Sequence, residues 1–200
     1  MVRRGENGMP LSFLAPRQNA PLNVIWKEAL LTAESCRQVV AYCERLTPQT
    51  ADMTGPQVSD ARQSIVAWLP EQKESAALFN LVRGQVQAIN QEHFGFDLIG
   101  FGEHMQYAKY GASKGHYDWH VDAGPGVTSL RKLAVIVQLS DQAEYDGGDV
   151  EFQGPGPAVR LPRKQGTLGV FSTFFLHRVT AVTRGERKSL VAWVTGPPFR

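Results

Sequence analysis

The sequence predicts one mainly β domain, a sandwich or open barrel buttressed by two helices that precede the strands. Three observations lead there. From Asp97 onward, short runs rich in Val, Ile, Phe and Tyr alternate with Gly, Pro and Asp clusters, the pattern of many short strands. Before Asp97, two stretches carry apolar residues at three-and-four spacing, the signature of helices with one buried face. The chain has 200 residues, of which 42% are hydrophobic and 20% charged, enough for one domain with a real core and too little for two. The organisation read from this is an irregular N-terminal arm over 1–26, a helical support region over 27–96, and a β core over 97–200.

The elements follow in order. Residues 1–26 are rich in Pro, Asn and Gly with isolated apolar residues (Leu11, Phe13, Leu14, Val24, Ile25, Trp26), and read as an arm lying over the domain. Thr32 caps a helix that runs to about Leu46, where Thr47-Pro48 stops it; Cys36, Val39, Val40, Cys43 and Leu46 form its buried face. The stretch 49–63 is polar and loop-like. Ser64–Leu69 is a short apolar strand ended by Pro70, and a second helix over about 71–92 lines up Leu78, Val82, Val86 and Ile89. Eight strands are expected near 99–110, 115–121, 131–139, 149–153, 158–161, 167–172, 176–182 and 187–195. There is no internal repeat.

Several functions are excluded by composition. The net charge is +2, from 21 basic and 19 acidic residues, and the basic residues are scattered, so no nucleic-acid footprint is present. No apolar run approaches the roughly 18–20 residues that span a bilayer. The twin arginine Arg3-Arg4 has no apolar segment behind it, so it is not an export signal, and the cytoplasm is the expected address. Cys36 and Cys43 sit about 10 Å apart along one helix, beyond disulfide reach. With no CxxC pair, a zinc ribbon is excluded.

The chemistry concentrates in Tyr110-Gly-Ala-Ser-Lys-Gly-His-Tyr-Asp-Trp-His120-Val-Asp122. In a strand, residues two apart share a face, so His120 and Asp122 present an imidazole and a carboxylate side by side. With five His and eight Asp in the chain, chance alone supplies an H-x-D in roughly one such chain in five. The downstream sequence raises its weight. His177 opens another strand, and two His with one carboxylate form the facial triad that suits non-haem Fe(II) with open positions. Arg187 follows ten residues later, with Ser189 on the same strand face. A buried guanidinium beside a hydroxyl is a ready receptor for a carboxylate. His116 and His120 would make a zinc pair on a helix, but Gly111, Gly115 and the aromatic neighbours favour strand.

These motifs, with Gly147-Gly-Asp-Val-Glu-Phe152, Gly166-Thr-Leu-Gly-Val-Phe171 and the run from His177 to Leu190, resemble the iron(II)- and 2-oxoglutarate-dependent dioxygenases of the prolyl 4-hydroxylase-like branch. The resemblance covers about residues 99–196. It implies a double-stranded β-helix, a jelly roll of the cupin kind, with Fe(II) held by His120, Asp122 and His177. It also implies that Arg187 binds the far carboxylate of 2-oxoglutarate, with Tyr110, Ser189 and Gln138 assisting. Lys188 stands where the family often has an aromatic, and Ala181 where proline is common; both positions look peripheral to the metal.

The implied activity is hydroxylation of an unactivated C–H bond by dioxygen, with 2-oxoglutarate decarboxylated to succinate and CO2 and ascorbate as a candidate reductant. Related halogenases have a small residue in place of Asp122, so the carboxylate points to hydroxylation; desaturation and ring closure stay open. A free amino acid, a peptidyl proline and another small natural product all stay open as substrates. The rival class is a non-catalytic module that binds metal and 2-oxoglutarate as a sensor on the same barrel. The sequence leaves the oligomeric state open.

Overall fold

The computed structural model describes residues 23–50, 61–112, 114–154 and 156–198. In chain order these form strand β1 (Val24–Lys27), helix α1 (Ala33–Cys43), strands β2 (Gln49–Thr50), β3 (Arg62–Gln63) and β4 (Ile65–Leu69), and helix α2 (Ala76–Ile89). The core strands follow: β5 (Gly100–Phe101), β6 (Met105–Gly111), β7 (His116–His120), β8 (Arg131–Gln138), β9 (Asp146–Gly147) and β10 (Val150–Phe152). The chain closes with β11 (Val159–Arg160), β12 (Leu168–Ser172), β13 (His177–Val179), β14 (Val182–Arg184) and β15 (Glu186–Thr195).

The strands pair into a major sheet, β1-β12-β8-β15-β6-β4-β2 with β5 also on β15, and a minor sheet, β11-β10-β13-β7-β3. A two-stranded ribbon, β14-β9, lies beside them. The result is the expected jelly roll: two facing sheets with helices packed on the outside of the larger one. Strand alternation divides the major sheet's side chains between two cores. Leu133, Val135 and Val137 of β8 face the helices, with Cys36, Cys43, Phe79, Val82 and Val86. Ala134 and Ile136 face the other way, toward Phe152, Phe171 and Phe175 between the sheets. The same rule separates two tyrosines of β6, Tyr107 on the helix side and Tyr110 in the barrel interior.

Several boundaries differ from the sequence reading, each for a physical reason. Residues 24–26, expected in the arm, begin β1, which completes the edge of the major sheet through the pairs Val24↔Phe171 to Lys27↔Leu168. The remainder of that arm, residues 1–22, and 51–60 of the polar stretch lie outside the described residues. Thr32 does cap α1, its Oγ1 accepting the Ser35 N–H at 3.1 Å. Helix α2 starts at Ala76 rather than 71 because the Ser75 side chain ties up the preceding turn, donating to the Pro70 carbonyl at 2.6 Å. It ends in a wide turn over Asn90–Phe94, closed by Gly95 at φ 68. The expected strand 99–110 is interrupted at Gly102, where a Cβ would lie 2.3 Å from Thr195 Cγ2. The expected strand 176–182 divides into β13 and β14, and β14 turns away to pair with β9. Gly147 permits that ribbon, with φ +71 and the Ala181 carbonyl 2.0 Å from where a Cβ would stand. Among the described residues no helix is long and apolar enough to cross a membrane.

The packing yields a direct expectation for stability. Leu133 is fully buried between sheet and helices, whereas Ile99 is 78% exposed. Leu133→Ala should lower the unfolding free energy by about 2–5 kcal/mol, and Ile99→Ala should change it by less than about 0.5 kcal/mol. Urea melts of the two variants check this.

Candidate metal centre and cosubstrate pocket

Strands β7 and β13 are antiparallel neighbours, and their register sets His177 directly opposite His120. The two rings lie 4.1 Å apart between centroids. A bulge follows, so that Val179 pairs with Tyr117. That irregularity lets Tyr117 and His120 share the inner face although they are three residues apart; their rings stack at 3.4 Å. Asp122 lies just past the end of β7, with Val121 turned outward at 45% exposure. Its backbone N–H donates to the Thr173 carbonyl at 2.7 Å.

The three donor groups converge. Asp122 Oδ1 is 3.7 Å from His120 Nε2, and Asp122 Oδ2 is 3.7 Å from His177 Nε2. Each ring's other nitrogen faces a carbonyl: His120 Nδ1 lies 2.7 Å from the Asp118 oxygen, His177 Nδ1 2.9 Å from the Phe175 oxygen. A carbonyl only accepts, so Nδ1 carries the hydrogen and Nε2 offers its lone pair to the centre. Burial, reinforced by the neighbouring His177, pushes the His120 pKa down to about 4, so that ring is neutral at pH 7 as a metal ligand must be. A first-row cation sits about 2 Å from such donors, which places the donors some 3–4 Å from one another. The two carboxylate–imidazole separations meet that condition, all three groups lie within 4.8 Å of one another, and this is the one such His/Cys/Asp/Glu cluster among the described residues.

Deeper in the barrel, β15 contributes Arg187, 1% exposed. Its Nη2 donates to Gln138 Oε1 at 2.8 Å and its Nη1 to Ser189 Oγ at 3.2 Å. The guanidinium lies 5.5 Å from the Tyr110 ring, and Tyr110 in turn lines the pocket with His120, Asp122 and His177. Arg187 Nε has no hydrogen-bond partner, and no carboxylate among the described residues lies within ion-pair distance. Lys188 points the opposite way, to Glu44 and Glu186 at 3.7 and 3.6 Å. Of the seven residues singled out in the sequence, Tyr110, His120, Asp122 and His177 line this pocket, while Arg187, Gln138 and Ser189 form a hydrogen-bonded group next to Tyr110.

Other wall residues carried no signal in the sequence. Arg62 reaches in from β3, above the Tyr117 ring at 4.7 Å, and donates to Gln106 Oε1 at 2.7 Å and Ser64 Oγ at 2.9 Å. It stands in a polar stretch, and the pairing of β3 with β7 that brings it to the site joins residues more than fifty apart. Trp193 also lines this pocket, and its buried Nε1 has no hydrogen-bond partner.

Residues 105–195 match the sequence profile of the 2OG-Fe(II) oxygenase superfamily. This region belongs to that superfamily. A PKHD-type hydroxylase of Maricaulis maris is 30% identical over 128 residues, which are 62% of this chain and 58% of that relative. The chain thus spans well under two thirds of that curated relative. Among solved structures, a Pseudomonas putida prolyl-4-hydroxylase superposes with a TM-score of 0.72 at 23% identity, covering 89% of this chain and 95% of the other. A Trichoplax adhaerens prolyl hydroxylase, solved with a hypoxia inducible factor peptide fragment, gives 0.71 at 16% identity, covering 87% and 84%. At such identities these two superpositions establish the shared fold.

The geometry makes His177 indispensable to the centre, since it is the one ligand from β13. His177→Ala should abolish retention of a stoichiometric Fe(II) ion under anaerobic gel filtration while leaving the far-UV circular dichroism unchanged. A variant that still retains one equivalent would contradict the triad.

Proposed function

We propose that this protein is an Fe(II)- and 2-oxoglutarate-dependent dioxygenase that hydroxylates an unactivated C–H bond. The observation that carries the reading is Arg187, a buried cation with no carboxylate partner among the described residues, set against Tyr110 of the pocket that the two-His-one-carboxylate cluster lines. An unpaired buried charge is unfavourable, and a dicarboxylate reaching from the triad to Arg187 would relieve it.

The roles divide by position. His120 and His177 would donate Nε2 and Asp122 one carboxylate oxygen to the ion, leaving the side toward the pocket open. Bound iron would supply the redox chemistry with dioxygen as oxidant, one oxygen atom ending in succinate as 2-oxoglutarate loses CO2 and the other entering the substrate. Arg187 would fix the cosubstrate's far carboxylate, with Gln138 and Ser189 holding the guanidinium plane and Tyr110 closing the side. Phe152, Phe171 and Ile136 make the barrel interior apolar, which strengthens the ion pair by excluding water. Arg62, Gln106 and Trp193 stand where the substrate enters. A free amino acid, a peptidyl proline or a small natural product is the substrate class; the name of the Maricaulis relative and the peptide bound in the Trichoplax structure both support a hydroxylase of this kind. The reading assigns the chain to the cytoplasm, where the buried free thiols of Cys36 and Cys43 stay reduced.

The direct test is incubation with Fe(II), 2-oxoglutarate, ascorbate and panels of amino acids and proline-containing peptides. Succinate release with a gain of one oxygen in one panel member supports the proposal. Tight binding of 2-oxoglutarate without succinate release under any condition would favour a sensor.

Arg187 and Lys188 provide an internal control. Losing one partner of a buried charged hydrogen bond costs roughly 2–5 kcal/mol, so Arg187→Ala should raise the 2-oxoglutarate KM at least tenfold while iron still binds. Lys188→Ala should leave it within about twofold, since a solvent-screened ammonium contributes little. Equal effects in 2-oxoglutarate titrations at saturating iron would refute the assignment.

A further inference from the structure

Asp122 is the one member of the triad that no strand holds. It follows the last residue of β7, and the loop beyond it carries Gly124 and Gly126. Its peptide is fixed from outside the ladder. The N–H donates to the Thr173 carbonyl, and the carbonyl accepts from Arg131 Nη1 at 3.1 Å. These two supports are joined, because Thr173 Oγ1 donates to the Arg131 carbonyl at 2.8 Å. A closed frame thus holds the two peptide groups that flank the Asp122 Cα.

Arg131 is itself held on three sides. Its Nε and Nη2 form a fork on Glu103 Oε1 and Oε2 at 2.8 and 2.7 Å. Its guanidinium lies over the Trp193 ring at 4.0 Å. The remaining nitrogen goes to the Asp122 carbonyl. An exposed Arg–Glu pair would be a weak ornament of the surface, but the Arg131 side chain is 12% exposed, and the fork aims its third nitrogen at a single acceptor. The same side chain therefore touches Trp193, in the lining of the pocket, and the backbone of the carboxylate ligand.

We propose that Arg131, clamped by Glu103 and Trp193, is the positioning residue that sets the Asp122 carboxylate for metal binding. The proposal rests on the reading of the triad as an iron site, and its test separates the two. Apo protein is titrated with Co(II) alone, following affinity and the visible absorption of the bound ion, which reports ligand geometry. The proteins are wild type, Asp122→Ala, Arg131→Met, Arg131→Lys, Glu103→Gln and, as a destabilised control with an untouched site, Leu133→Ala.

Arg131→Met should weaken Co(II) binding about 10–100-fold, the usual range for partners that orient metal ligands, and should alter the spectrum of the bound ion. Glu103→Gln should shift both in the same direction by less. Arg131→Lys should not restore them, because an ammonium cannot form the fork. Leu133→Ala should leave the spectrum of bound Co(II) as in wild type. Wild-type affinity and spectrum in Arg131→Met, with Asp122→Ala unable to bind, would overturn the positioning role alone. If Arg131→Met does not fold, Glu103→Gln decides, and an unchanged affinity and spectrum overturn the proposal. A wild-type protein that binds no Co(II), or an Asp122→Ala variant that binds it equally well, would overturn the triad and the proposal together.

Discussion

The pairing of β7 with β13 is the constraint on which the site depends. Side chains alternate across a strand, so a slip of one residue would turn His177 away from His120 and out of the barrel. The observed register sets the two imidazoles side by side at a 51° tilt, and a carbonyl behind each ring holds its protonated nitrogen outward. Both Nε2 atoms are then turned toward the Asp122 carboxylate. The bulge past His177 adds Tyr117 to the same wall, and the cost of the disturbed ladder is local. Asp122 lies outside this pairing, which is why its support has to come from Thr173 and Arg131.

Two of the buried charges of the barrel, Glu151 and Arg187, are handled in opposite ways. Glu151, on the minor sheet, is 5% exposed and is gripped by Arg178 and Arg160 at 2.7 and 2.8 Å. Burial raises its pKa, but hydrogen bonds from the two arginines outweigh that and leave it below the ordinary carboxylate value. Arg187 has neutral hydrogen-bond partners, Gln138 and Ser189, and no carboxylate partner among the described residues. Glu151 is a structural charge completed within the chain, whereas Arg187 is the residue that the proposed reading leaves to an entering carboxylate. The contrast is what separates a fold-stabilising ion pair from a binding residue when both are buried.

Much of this was legible in the sequence, and the limits have physical causes. Period-two alternation keeps Tyr107 and Tyr110 off a common face, and puts Arg187 and Ser189 on one face with Lys188 on the other; these are local rules and they hold in the structure, whereas the choice of Tyr110 as the inner tyrosine rests on the family resemblance. The N-cap at Thr32 is equally local. Element ends were less legible, because they depend on distant partners: Thr195 interrupts the strand at Gly102, and β9 draws β14 away from β13. The wall of the pocket was the least legible part. Arg62, Arg131 and Glu103 have no periodicity to announce them, and they matter through neighbours that only the folded chain brings together.

The central claim is that one pocket holds a metal ion at His120, Asp122 and His177 and a dicarboxylate between that ion and Arg187. Anomalous diffraction from crystals grown anaerobically with Mn(II) and 2-oxoglutarate tests it most directly. The account predicts a single strong anomalous peak in contact with both Nε2 atoms and the Asp122 carboxylate, and density for 2-oxoglutarate ending on the Arg187 guanidinium. A peak elsewhere, or a dicarboxylate bound away from Arg187, would contradict it.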